Sequence, residues 1–157
     1  MNGLHLPHFG RARIQPLASD NYRPSDAGKW AVIMEVRDRH DEIADLVAWL
    51  PEDPSRWWLR HFDETPIIGA RSLAFAADCH QPAILYPTPE AWLFAQRERS
   101  KGAIVCIIDW GVNLTELFAG VSKVECRGSD LQKRFTSALR AWEPQITAPR
   151  QGARRVA

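Results

Sequence analysis

Acidic residues that follow apolar segments are the side chains of this chain best placed to do chemistry. Glu35 follows the apolar run 30–34 and Asp109 follows the run 103–108, while Asp63 comes after a more aromatic segment. If these segments are neighbouring strands, the three carboxylates converge at one edge of a sheet. Convergent carboxylates bind Mg²⁺ through their oxygens, and such a metal site supports phosphoryl transfer. The sequence therefore permits a metal-dependent enzyme, nuclease-like or nucleotide-processing, that uses these acids in catalysis.

The same acids also have a purely structural explanation. A strand commonly ends in a polar residue, which caps the following turn or pairs with a nearby basic residue such as Arg37. No second motif, such as a DxD sequence or a pair of histidines, accompanies Glu35 or Asp109. We therefore favour the structural explanation, with no cofactor evident, and keep the Mg²⁺ site as the alternative.

A glycine at the start of a predicted helix forms the second candidate site. The segment Ile68-Gly69-Ala70-Arg71-Ser72 is typical of a strand, a turn and a helix start. The first N–H groups of a helix have no partner inside the helix and bind anions, and Arg71 and Ser72 would add further donors. One glycine is far less specific than the glycine-rich phosphate-binding motifs, so an ordinary turn is the simpler explanation.

Two adjacent tryptophans between basic residues form the third candidate site. Trp57 and Trp58 lie between Arg56 and Arg60. Aromatic side chains interleaved with arginine stack on single-stranded bases or anchor protein interfaces, which makes Trp58 and Arg60 candidate binding residues. Neighbouring side chains of a strand face opposite sides of the sheet. The alternative is therefore that helices cover both tryptophans, one on each face.

The three cysteines and five histidines do not show the spacing of a metal site. No pair of them has the C-x₂-C, H-x₃-H or H-E-x-x-H pattern of zinc proteins. Cys106 lies within an apolar run and is expected to be a small buried side chain. An odd and widely spaced set of cysteines predicts a reduced cytoplasmic protein without a disulfide framework.

The elements that would position these candidates alternate in type. The runs 30–36 and 103–109 are predicted to be strands, because they are short, apolar and β-branched. Residues 39–50 are predicted to be a helix from apolar residues at helical spacing. These residues are Ile43, Leu46, Val47 and Leu50. The alternation predicts a single three-layer α/β domain with a mainly parallel central sheet of about five strands flanked by helices. In that domain the two runs are adjacent or near-adjacent central strands.

Composition divides the chain into three parts. Residues 1–28 hold several Pro and Gly and no regular period, which predicts an extended or partly disordered N-terminal arm. Residues 29–143 form the α/β domain, and residues 144–157 are predicted to be a disordered basic tail. The net charge is +1, and no apolar run reaches the length of a membrane span. The excess of Arg over Lys suggests a bacterial or phage source.

Two functions from different classes remain. The first is a small cytoplasmic accessory protein that works by contact with another macromolecule, either a protein or a nucleic acid. The second is the metal-dependent phosphoryl-transfer enzyme that uses Glu35, Asp63 and Asp109. We favour the first, because a catalytic site usually leaves a concentrated local motif in the sequence, whereas a binding surface does not.

Overall fold

Two β-sheets of different construction follow one another along the chain. The computed structural model describes residues 7–61, 65–98 and 100–141. The first sheet contains β1 (Phe9–Pro16), β2 (Tyr22–Pro24), β3 (Lys29–Arg37), β4 (Ile43–Leu50) and β5 (Asp53–Leu59). The second sheet and the helices contain β6 (Ile67–Ile68), α1 (Ala70–Asp78), β7 (Ala83–Leu85), α2 (Pro89–Arg97), β8 (Ala103–Ile107), α3 (Leu114–Leu117), β9 (Val124–Cys126) and α4 (Ser129–Ala141).

The first sheet is antiparallel throughout and curls toward a closed barrel. Its strand order is β2-β1-β3-β4-β5. Asn21, just before β2, forms an isolated bridge with Leu59 at the end of β5, and the Leu59 N–H donates to the carbonyl oxygen of Asp20 over 2.9 Å. These contacts join the two outer strands, so the sheet encloses an apolar interior of its own. The buried residues of this interior are Ile14, Tyr22, Ala31, Ala48, Leu50 and Trp58.

The second sheet is mixed, with the order β6-β8-β7-β9. Strand β6 is antiparallel to β8, whereas β8, β7 and β9 run parallel. Helices α1, α3 and α4 cover one face, where Leu73 and Phe135 join the buried cluster. Helix α2 and the outer face of the first sheet cover the other face, where Trp92 and Met34 share a cluster with Ile104. Strand β8 is therefore enclosed, and all five of its residues are buried.

The predicted single, mainly parallel sheet is wrong. The run 30–36 belongs to β3 in the antiparallel first sheet and the run 103–109 contains β8 in the second sheet, so the two are not neighbours. A strand shows a continuous apolar run whenever both of its faces are covered, and parallel pairing is only the usual reason. In β3 one face lines the interior of the first sheet, and Met34 and Val36 of the other face pack against the second sheet, whereas Trp30 is exposed. Within the run 103–109, the residues of β8 are covered on both faces, whereas Asp109 is exposed.

The helix predicted over 39–50 is also wrong, since β4 occupies most of this segment. Strand β4 lies between β3 and β5 and is buried on both faces. Val47 faces the second sheet, whereas Ala48 faces the interior of the first. Because nearly every position of such a strand is apolar, a subset at helical spacing arises by chance. The β-branched and aromatic residues of the segment are types that fit a pleated sheet well.

The N-terminal segment contributes to the first sheet. Strand β1, which lies in the segment assigned above to an arm, pairs with β2 on one side and with β3 on the other. The predicted tail, 144–157, lies outside the described residues. No helix of the described chain is long and apolar enough to cross a membrane.

Candidate functional site

Glu35 is held by basic side chains rather than by other acids. Its carboxylate pairs with Arg37, with Nη2 and Oε2 2.9 Å apart, and contacts His8, with Nδ1 and Oε1 3.3 Å apart. Burial raises the pKa of the Glu35 carboxyl, but the hydrogen bond and charge of Arg37 and the contacts with His8 outweigh burial. The net result is a pKa below the ordinary value. This is the ion pair that the structural explanation of the sequence predicts.

Asp109 does not share a site with Glu35. It is exposed beyond the end of β8, where its Oδ1 accepts the N–H of Gly111 over 2.8 Å and forms a turn. Glu35 instead lines a cleft beside α1, and Asp109 is not among the residues that line this cleft. Among the described residues, no group of three or more His, Cys, Asp or Glu side chains is placed to hold a metal ion. Asp63 lies outside the described residues.

A cleft of about 1060 Å³ brings together three of the predicted site residues, Glu35, Arg71 and Ser72. It extends from the end of β3 along α1 to α2 and the start of β8. Arg71 pairs with Asp41, with Nη1 and Oδ2 3.6 Å apart, and Arg37, which also lines the cleft, pairs with Glu35. The positive charges of the cleft are therefore balanced by acids of the chain itself.

Gly69, at the start of α1, has a packing role. Its φ is +88°, in the left-handed region that favours glycine. A β-carbon at this position would lie 2.4 Å from the carbonyl oxygen of Ile104. The close packing of α1 on β8 therefore accounts for this glycine without a bound phosphate.

Trp58 and Arg60 take part in the packing of the first sheet. Trp58 is 4% exposed and lies in the interior, so it cannot serve as the exposed aromatic contact that the sequence suggested. Arg60 lies over the ring of Tyr22, with Cζ 5.5 Å from the ring centre, and its Nη1 donates to the Tyr22 carbonyl oxygen over 3.4 Å. Burial raises the pKa of Tyr22 to about 12, although the charge of Arg60 opposes this shift. Trp57 is half-buried, and its indole N–H donates to the Ile108 carbonyl oxygen over 3.3 Å.

The three cysteines of the chain are unpaired. Cys106 is a fully buried core side chain, as expected, and burial raises the pKa of its thiol. Burial likewise raises the pKa of Cys126, which is half-buried, whereas Cys79 is exposed. A raised pKa keeps a thiol protonated and unreactive.

A surface that the sequence analysis missed lies on the outer face of the first sheet. We call it the aromatic–arginine surface. It is formed by Phe9, Arg11 and Arg13 of β1, Arg23 of β2 and Trp30 of β3. These side chains share a face because alternate residues of a strand point the same way and direct cross-strand partners lie side by side. Arg13 is the partner of Trp30, and Gln15 is the partner of Arg23.

The side chains of this surface are exposed but ordered by local contacts. Phe9 is 49% and Trp30 is 55% exposed. The guanidinium of Arg13 stacks on Trp30, with Cζ 5.1 Å from the ring centre, and its Nη1 donates over 2.9 Å to a backbone carbonyl of the β2–β3 turn. Arg23 donates from Nε and Nη2 to Oε1 of Gln15 over 2.9 and 2.7 Å. Both acceptor atoms are uncharged, although the carbonyl that Arg13 binds belongs to Asp26, an acidic residue of the β2–β3 turn.

The strand positions of the aromatic–arginine surface hold no acid. None of the residues that the register places on this face of β1, β2 and β3 is acidic. Among the described residues, no ion pair joins Arg11, Arg13 or Arg23 to a carboxylate. The second sheet covers the adjoining part of the same face, where Met34 and Val36 are fully buried. The result is an open basic face with two exposed aromatic rings.

Comparisons with protein families, curated proteins and solved structures found no match for this chain. Any function proposed for it consequently rests on the geometry of the cleft and of the aromatic–arginine surface.

Proposed function

We propose that this protein is a small cytoplasmic accessory protein that binds another macromolecule through the aromatic–arginine surface. The observation that supports this is the presence of two half-exposed aromatic rings and three arginines on one open sheet face. Trp and Arg are among the residue types that carry most of the binding energy at interfaces. The unpaired cysteines agree with a reducing, cytoplasmic location.

The cleft supports a binding role less well than the surface does. Its arginines, Arg37 and Arg71, already face the carboxylates of Glu35 and Asp41. A charged ligand would compete with these ion pairs for the same groups. On the aromatic–arginine surface the arginines have only uncharged acceptors, so a ligand adds charge neutralisation without breaking an existing pair.

Metal-dependent phosphoryl transfer gains no support from the acids. Glu35 is neutralised by Arg37, and Asp109 does not line the cleft that Glu35 lines, since its Oδ1 accepts the N–H of Gly111 in a turn. Within the described ranges, no group of three or more potential metal ligands occurs. The binding function is therefore the one we propose.

Photo-crosslinking tests this proposal. The photoreactive residue p-benzoylphenylalanine replaces Phe9 or Trp30 in one pair of variants and Phe75 or Phe94 in a control pair. The controls are well matched, because Phe75 is 65% and Phe94 is 54% exposed. Irradiation of cells that make each variant is expected to give discrete adducts of higher mass at positions 9 and 30, and only background at positions 75 and 94.

Two outcomes would contradict the binding function as proposed. Adducts confined to position 75, which lines the cleft, would move the contact to the cleft. The same yield of adducts at all four positions, or none at any, would show that the aromatic–arginine surface has no preferred partner. Nuclease or protease treatment of the adducts identifies the class of the partner.

A further inference from the structure

We propose that the partner of the aromatic–arginine surface is a single-stranded nucleic acid. This inference rests on the proposed binding function and narrows it to one class of ligand. A single strand presents the faces of its bases together with a charged backbone. Proteins bind such strands by stacking aromatic side chains on the bases and by lining the path of the backbone with positive charge.

Phe9 and Trp30 are placed to stack on separate bases of one strand. Trp30 lies beside Arg13, so the two rings are four residues apart along β1, a distance of about 13 Å. Arg13 stacks on the Trp30 ring, and Trp30 is still 55% exposed and therefore accessible to a base. The guanidinium plane is itself a surface on which bases stack.

The arginines supply positive charge along the path of the phosphate backbone. Arg11 lies between the two aromatic positions on β1, Arg13 lies beside Trp30, and Arg23 lies on the adjoining β2. A guanidinium group binds phosphate oxygens through paired N–H donors. Since no acid shares this face of the three strands, the surface complements the charge of a polyanion.

The composition of the surface favours a nucleic acid over a protein. Aromatic residues and arginine are also enriched at protein interfaces, but the buried centre of such an interface is more apolar than this surface. Here Arg11 and Arg13 separate the two aromatic rings, and the exposed positions on this face of β1 and β2 hold no aliphatic side chain. A single strand is favoured over a duplex, because a duplex hides the faces of its bases within the stack.

Fluorescence anisotropy with the full chain and labelled oligo(dT) and oligo(U) of about 15 nucleotides tests the inference. The double variant Arg11→Ala/Arg13→Ala is expected to weaken binding about tenfold or more. It should also reduce the slope of log affinity against log salt by about 1.4, since each phosphate contact on a single strand contributes about 0.7.

Trp30→Ala is expected to weaken binding about 5- to 100-fold and to leave the slope unchanged, because stacking releases no counterions.

Arg134→Ala is the matched control. Arg134 also stacks on a tryptophan, with Cζ 4.1 Å from the ring centre of Trp110, but it lies on α4, away from the first sheet. Its removal is expected to change the affinity less than twofold. The four substituted residues are exposed, so the wild-type melting temperature should be retained by each variant.

The results separate this inference from the proposed function. Equal affinity for a blunt duplex, or single-strand binding that survives both surface variants, would overturn the inference. The oligonucleotides could fail to bind while the adducts at positions 9 and 30 contain a partner protein. In that case the proposed binding function stands, and the inference of a nucleic-acid partner is wrong. If the oligonucleotides fail to bind and no crosslinks form, both proposals fail.

Discussion

Replacing Trp58 by alanine is expected to lower the free energy of unfolding by about 3–5 kcal/mol, the usual cost of truncating a large buried aromatic side chain. Trp58 is 4% exposed and packs with Tyr22 and Leu50 inside the first sheet. This is the opposite of the outcome expected for a binding residue, whose removal leaves the fold intact. A loss of this size is a large share of the stability of an ordinary domain.

Urea unfolding followed by circular dichroism measures this loss. Trp30→Ala is the control, and it is expected to cost less than about 1 kcal/mol, because Trp30 is 55% exposed. Trp58→Phe should recover much of the lost stability, since the indole N–H of Trp58 has no hydrogen-bond partner within the described part of the chain. Equal destabilisation by the two alanine variants would contradict the enclosed position of Trp58.

Ile107→Ala is expected to cost about 2–5 kcal/mol, as a large-to-small change in a packed core. Ile107 is 1% exposed, ends β8 and packs in the cluster beneath α1 and α4. Ile43→Ala is the matched control, because Ile43 is 55% exposed at the start of β4, and it should cost about 0.5 kcal/mol or less. The same urea melts compare the two variants. A loss for Ile107→Ala no larger than that of the control would show that β8 is not at the centre of the core.

Local signals predict the helices of the second half well. The sequence Thr88-Pro89-Glu90 combines a cap residue, a first-turn proline and an early acid, and α2 begins at Pro89 with the Thr88 Oγ1 accepting the Ala91 N–H over 3.1 Å. Similarly, Ser129-Asp130-Leu131-Gln132 has the pattern of a capping box, and α4 begins at Ser129. These predictions succeed because a cap satisfies backbone groups within a few residues of sequence.

The first half shows what local signals cannot predict. The antiparallel sheet depends on pairing between segments that are distant in sequence, such as β1 with β3. Its curvature depends on the contact of Asn21 with Leu59. Neither segment of such a pair carries a local sequence signal that identifies its partner. A buried apolar strand therefore looks the same whether its neighbours are parallel or antiparallel.

The aromatic–arginine surface was not predicted, for a related reason. The aromatic and arginine residues around Trp58 and those around Trp30 are similar in type, and only the folded sheet decides which ring is enclosed. The alternation from Phe9 through Arg11 and Arg13 is a strand signal. The prolines and glycines nearby obscure it, and they led to the prediction of an extended arm. Residue type alone does not show which face of a sheet is covered.

Hydroxyl-radical footprinting with and without oligo(dT) tests the central proposal most directly, because it reports the exposure of individual side chains. Phe9 and Trp30 are expected to react several-fold more slowly when the oligonucleotide is bound. Phe75 and Phe94, which are similarly exposed, should keep their reaction rates. Unchanged rates at Phe9 and Trp30 in the presence of bound oligonucleotide, or protection of Phe75 in their place, would contradict the proposal.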